Sequence, residues 1–305
     1  MKFACSLVSF WSPRSLALIN KSGPRVVYAA LICSILLPIV ISAQQRPGRF
    51  QRREQAVVIP PTVFHSQQSA NLATAQTMLK GEWLFEISHR FFPPVSQGAE
   101  ALWGLDGPVA NRFGLAYAIT DRVMAGILRT NVDDNLELNA KARLFEGGSE
   151  SVSMMLGATG GVAWNMSDPG NSGARENETQ AYAQFILNTL IAGRLGIGLV
   201  PTLLKNPRIQ DLQPETTFTM GIHGQVYMSE QVSLLGEWIV SKHRPDLEHD
   251  SGTFGVELET GGHFFKLLLT NQYRMNPTQV FAGTPYKFIP KYWRLGFNIT
   301  RLLTF

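Results

Sequence analysis

The sequence predicts an all-β chain folded as one closed antiparallel β-barrel of about twelve strands in an up-and-down meander. Three observations predict it. From Gly81 onward, apolar and polar residues alternate with a period of two. The alternating segments run to about ten residues. The connections between them are short and long by turns.

The first strand is expected from Glu82, where Trp83, Phe85, Ile87 and Phe91 form one face and Glu82, Glu86, Ser88 and Arg90 the other. Successive strand residues point to opposite faces, so this spacing is the signature of a two-faced strand. The pattern recurs as Leu136, Leu138, Ala140, Ala142 and Leu144 against Glu137, Asn139, Lys141 and Arg143. It recurs again as Phe218, Met220, Ile222 and Val226 against Thr217, Thr219, His223 and Gln225, and as Phe254, Val256 and Leu258 against Thr253, Glu257 and Glu259. Short connections fall at Thr120-Asp121, Glu146–Glu150, Ala192-Gly193, Ser229–Gln231 and Gly261-Gly262. Long ones fall at Pro93–Ala110, Thr130–Asp134, Asn165–Glu178, Lys205–Glu215, Lys242–Ser251 and Asn271–Pro290. Pro201 interrupts the strand expected near Arg194–Leu204, because proline cannot donate to a ladder. The strand there either ends early or carries a bulge, and counts of ten or fourteen strands stay open beside twelve.

Strands of soluble sandwiches average about five or six residues, whereas a strand crossing a bilayer needs about 9–11. Lipid offers no partner to backbone N–H and C=O groups, so a sheet there must close on itself. The apolar alternates then face lipid, and the charged ones line a lumen. On that reading the lumen holds Glu86, Arg90, Arg112, Glu137, Lys141, Arg143, His223, Glu237, Glu257, Glu259, Lys266 and Arg294. Trp83, Trp103, Trp164, Tyr227, Trp238, Tyr292 and Trp293 sit near strand ends, as interfacial girdles do.

The chain ends on "KYWRLGFNITRLLTF", read as the closing strand. Trp293, Leu295, Phe297 and Ile299 form its lipid face, and the terminal Phe305 completes a pattern resembling the signal read by barrel assembly machinery. At the other end, Lys2, Arg14, Lys21 and Arg25 precede the apolar run Val26–Ser42 and the small residue Ala43. That order reads as a signal peptide over residues 1–43, removed on export. Four of the 27 Lys and Arg lie in it, leaving 23 against 23 Asp and Glu. The exported chain is therefore neutral, which excludes a basic nucleic-acid binder. Cys5 and Cys33, the two cysteines of the sequence, also precede residue 44, so no disulfide supports the barrel. Residues 44–80 read as a polar periplasmic leader, with a short strand near Val57–Phe64.

The stretches "GEWLFEISHRF", "GLDG", "NRFGLAYAITDRVMAGILRT" and "LELNAKARLF" together resemble an uncharacterised bacterial outer-membrane β-barrel family, a domain of unknown function. The resemblance spans about Pro61 to Phe305 and is strongest over Ile87–Phe91 and Phe113–Gly126. It implies the barrel fold and the outer membrane, with no reaction and no catalytic residue to carry over. Phe92-Pro93-Pro94 stands where the family leads one to expect a glycine.

Signals for chemistry are weak. "GATGG" at Gly157–Gly161 is followed by no helix and reads as sheet curvature or close backbone approach. His89 lies on the lipid face, but Ser88 points the other way, so the two form no dyad. His223 reads as a hydrogen-bonding lumen residue. His243, Asp246, Glu248, His249 and Asp250 share one long connection and have cation-ligand chemistry, yet a mixed-charge loop is ordinarily a solvated one. "NETQ" at Asn177 matches a glycosylation acceptor, which a bacterial protein does not use. No catalytic residue, metal or cofactor is expected. The expected partners are outer-membrane lipid, the assembly machinery, and a small solute or a periplasmic protein. The leading reading is a narrow pore or an envelope scaffold. Its rivals are a lipid-modifying hydrolase, and a docking barrel whose leader plugs the lumen or binds a periplasmic partner.

Overall fold

The computed structural model describes residues 63–149, 151–167, 179–207, 215–241 and 249–304. Twelve strands among them close one antiparallel barrel. They are β1 (Trp83–Phe91), β2 (Val109–Thr120), β3 (Val123–Thr130), β4 (Asn135–Gly148), β5 (Val152–Asn165) and β6 (Thr179–Ile191), then β7 (Leu195–Lys205), β8 (Thr216–Tyr227), β9 (Val232–Val240), β10 (Ser251–Glu259), β11 (His263–Thr270) and β12 (Arg294–Leu303). Each pairs with its sequence neighbours. The seam is β1 against β12, in register from Trp83↔Leu303 to Arg90↔Gly296.

The tight turns follow backbone chemistry. Ala192 and Gly193 both take positive φ, as do Gly261 and Gly262. Two successive positive φ values give the hairpin turn whose twist matches the strands it joins. Close to the short-turn rim, Ile119 in β2 and Leu144 in β4 are each an extra residue, bulged against β3 and β5. Bulges there increase twist at a barrel rim.

Pro201 neither ends β7 nor shifts its register. Leu195–Lys205 pairs continuously with β8, including Pro201↔Met220, and toward β6 the register is the same on both sides of the proline. The ladder opens only at the two β6–β7 positions between Gln184↔Thr202 and Leu187↔Leu199. The last strand begins at Arg294, not Lys291, because Pro290–Tyr292 forms a 3-10 turn ahead of it. Leu295, Phe297 and Ile299 face outward along β12 as expected, with Trp293 just before it; Phe305 lies outside the described residues.

The outer wall is an apolar belt. Phe113, Ile127, Leu138, Phe218, Leu234 and Leu267 stand on it, each at least 40% exposed. The lumen is filled rather than open. Two stretches of chain occupy it: an inner segment, Val63–Met78, and part of the β11–β12 connection, which carries the one-turn helix α1 (Pro277–Val280). The last part of the leader expected over residues 44–80 thus lies inside the barrel. Filling also changes the inward face. On β5 to β9, Met155, Ile186, Leu190, Val200, Leu204 and Ile239 point inward and pack with Phe64, Leu72 and Phe281. Tyr227, expected in a girdle, is one of these inward residues.

Candidate functional site

The inner segment is a loop that enters and leaves by the short-turn rim. Near its start, Phe64 packs on the His223 ring at 4.8 Å between centroids. The His65 N–H donates to Tyr227 Oη at 3.2 Å. Near its end, Thr77 Oγ1 donates to the backbone carbonyl of Asp121 in the β2–β3 turn. Between these points Gln68 and Ala73 pair as an isolated antiparallel bridge. The residues from Ser69 to Leu72 form its tip.

The tip is held by one carboxylate. Ala70, Asn71 and Leu72 all direct backbone N–H groups at Glu237 Oε1, at 2.7, 2.9 and 2.9 Å. Asn71 Nδ2 donates to Glu237 Oε2 at 3.1 Å. Successive N–H groups converging on one anion form a concave nest, and here a wall residue fills it. Asn298 Nδ2 donates to Ala70 O at 2.7 Å, and Arg90 Nη2 to Asn71 Oδ1 at 3.0 Å.

A second cluster holds the entering limb. Lys266 Nζ lies 2.9 Å from Glu257 Oε2 and donates to Gln68 O and Ser69 O at 2.5 and 2.6 Å. Glu257 Oε1 also accepts from Gln225 Nε2 at 2.6 Å and stands 3.3 Å from His65 Nδ1. A third group joins both inserted stretches to the wall. Arg112 pairs with Glu86 and donates to Gln68 Oε1 at 3.1 Å and to the carbonyl of Met275 in the β11–β12 connection. On β4, Lys141 Nζ donates to Gln67 O and Thr74 O at 2.9 and 3.1 Å, bridging the neck of the loop. Glu137 accepts from Tyr182 Oη at 3.0 Å and faces Thr278 of α1.

The structure therefore gathers nine of the twelve residues expected in the lumen around the two inserted stretches: Glu86, Arg90, Arg112, Glu137, Lys141, His223, Glu237, Glu257 and Lys266, all buried. The other three sit at the rims. Arg143 pairs with Glu146 beside the β2–β3 turn. Glu259 accepts from Gly262 N in the β10–β11 turn. Arg294 stacks 3.6 Å from the Tyr286 ring centre at the long-loop rim. Sequence reasoning placed Asn298 on the lumen face of the last strand but missed the other partners: His65, Ser66, Gln68, the tip N–H groups and Asn188. The available signal was the run of small polar residues "HSQQSANLATAQT" directly before the first strand.

A cavity of about 100 Å³ lies between the inner segment and the wall of β1 to β6. Gly114, Ala116 and Gly126 hold the wall back there. On the outer wall, the residues next to His89 are Ile87, Phe91, Asn111 and Phe297, with the Phe297 ring 4.5 Å away. None of these is a nucleophile. Of the β9–β10 connection, residues 242–248 lie outside the described ones, and Asp250 accepts from Trp238 Nε1 and Ser241 N. Among the described residues no cluster of three or more metal-ligating side chains occurs.

With this geometry in hand, comparison with known proteins assigns the family. A model described as "Membrane bound beta barrel domain (DUF5777)" matches residues 64–303. The chain belongs to this family. The match begins within the inner segment, so the DUF5777 domain comprises the loop in the lumen as well as the strands. No curated protein matches the chain. Among solved structures, the COG4313 outer membrane channel from Pseudomonas putida F1 is 13% identical, with a TM-score of 0.45 over 75% of this chain and 98% of that one. The NanC porin is 7% identical, TM-score 0.43, over 73% and 99%. Outer membrane phospholipase A from Escherichia coli is 9% identical, TM-score 0.39, over 74% and 90%.

Proposed function

We propose that this chain is an occluded solute channel of the bacterial outer membrane, exported by a cleaved signal peptide over residues 1–43 and opened by movement of its inner segment. The observation that carries this reading is how the lumen is closed. The tip of the inner segment is fastened by hydrogen bonds to Glu237, Arg90 and Asn298 as well as by the apolar contacts of Ala70 and Leu72. Exchanging such bonds for bonds to water has a modest net cost, about 0.5–1.5 kcal/mol for a neutral pair and about 1.5–3 kcal/mol where one partner is charged, so the tip can leave the lumen. The short-turn rim, through which the segment enters and leaves, is then periplasmic, as short turns are in such barrels. A periplasmic partner that pulls on the preceding residues is the natural means of moving it. The lipid-hydrolase reading has less support, because His89 has no nucleophile beside it on the lipid face.

A disulfide tests the reading. A Cβ built on Gly157 stands 3.0 Å from Cβ of Ala75, near the range a disulfide needs. The pair Ala75→Cys with Gly157→Cys is expected to staple the segment to β5. In planar bilayers the oxidised protein should carry no current, and reduction should restore the openings of the parent. Deleting Gln67–Ala73 should raise conductance further. If the deletion variant folds, shown by its heat-dependent gel migration, and still carries no current at any salt concentration, the channel reading fails.

A further inference from the structure

We infer that the cavity beside Lys141 binds a small hydroxy carboxylate. Three ionic side chains line it: Glu86, Arg112 and Lys141. Glu86 and Arg112 neutralise each other as an ion pair. Lys141 is 7% exposed, and among the described residues no carboxylate lies within ion-pair distance of its ammonium. Lys266, on the opposite wall, has Glu257 for that purpose. Buried charges are ordinarily paired, and an anion in the cavity would give the Lys141 ammonium the partner it lacks. Lys141 spends two donors on Gln67 O and Thr74 O, and an ammonium has three. The remaining donor suits one carboxylate oxygen.

Two further features narrow the ligand. Gln67, also 7% exposed, lines the cavity, and its Oε1 is buried without a partner. An unpartnered buried acceptor calls for a donor, which a hydroxyl supplies and a plain alkyl acid does not. The other side is apolar, made by Leu84, Ala116, Met124 and Leu128, and takes the carbon skeleton. Each water-sized occupant needs about 10–15 Å³ on this measure, so a cavity of about 100 Å³ admits a molecule of about six to ten non-hydrogen atoms. Lactate is of this size.

The inference names a ligand class for the lumen of the proposed channel, but it stands or falls by binding and not by conduction. Full-length protein in detergent micelles, held at fixed ionic strength, is titrated calorimetrically with lactate, propionate and glycerol. Lactate should bind saturably, propionate several-fold more weakly, and glycerol not at all. Lys141→Gln should weaken lactate at least tenfold. Ala116→Leu, which fills the cavity and leaves Lys141 on its two carbonyls, should abolish binding while gel migration shows a folded barrel. If Lys141→Gln does not fold, Ala116→Leu decides alone. Absence of saturable lactate binding overturns the inference, as does lactate binding that survives Ala116→Leu or glycerol binding as tight as lactate.

Discussion

Two walls of the same barrel treat the inner segment in opposite ways. On β8 to β12, Glu237, Glu257, Lys266 and Asn298 are buried and each is bonded to the segment or to a residue that holds it. On β2 and β3, Arg112 reaches Gln68, but the inward positions Gly114, Ala116 and Gly126 beside it are too small to reach the segment, and a cavity separates them from it. Both walls carry the same alternation of faces. What differs is size and charge at the inward positions. Burying a carboxylate such as Glu237 is unfavourable unless its oxygens are fully bonded, so the charged wall must hold a partner. The small-residue wall has no such requirement and can border free space. The first is a binding face for the protein's own chain, and the second is left for something else.

The largest effect should come from the charged wall. Glu237→Ala would strand three buried N–H groups, those of Ala70, Asn71 and Leu72. Each such loss costs about 1–3 kcal/mol. Ser69, fully buried with an unpartnered hydroxyl, offers a reporter when replaced by cysteine. With Ser69→Cys as background, a water-soluble maleimide should label slowly, and adding Glu237→Ala should speed labelling by at least a hundredfold. Equal rates would mean that the tip is not held by this carboxylate.

Next in size is Lys266→Met. Removing one member of a buried pair typically costs about 3–5 kcal/mol, but Glu257 keeps Gln225 and its contact with His65. The loss should lie at the low end of that range, read as a lower thermal midpoint for heat-dependent gel migration. Labelling at Ser69→Cys should rise less than with Glu237→Ala, because the tip nest remains intact. A larger rise would move the main point of attachment from Glu237 to Lys266.

The contrast between the walls also explains what was legible in the sequence. Strands, turns and inward faces could be read because they are local: a period of two, a Gly-Gly turn, a charged residue every second position. The inner segment was legible only as one rival reading, a leader that plugs the lumen, and its contacts not at all, because its backbone groups are satisfied by strands far along the chain. Asn71 and Glu237 are 166 residues apart, and no spacing within "HSQQSANLATAQT" reports that partnership. Ile186, Val200 and Ile239 were hidden for a related reason. Inward apolar residues are expected only in a filled lumen, and filling follows from the segment that the local pattern does not reveal. Pro201 shows the converse, since closure by both neighbours holds β7 in register where a lone strand would break.

The smallest effect carries the finest test, because it places the same side chain on the two walls. Gly221 faces Leu72, and a Cβ there would stand within 2.8 Å of Leu72 Cδ1. Gly221→Val should therefore overpack and cost about 1–3 kcal/mol. Ala116 borders the cavity and has nothing from the inner segment to displace. Ala116→Val adds apolar volume to empty space, so its effect on the thermal midpoint should be near zero or a gain of about 0.5 kcal/mol. If the two substitutions destabilise equally, the inner segment sits centrally and the cavity is not a separate compartment. If only Gly221→Val does, the segment belongs to one wall and the space to the other. The cavity could then be occupied or emptied with the lumen still closed.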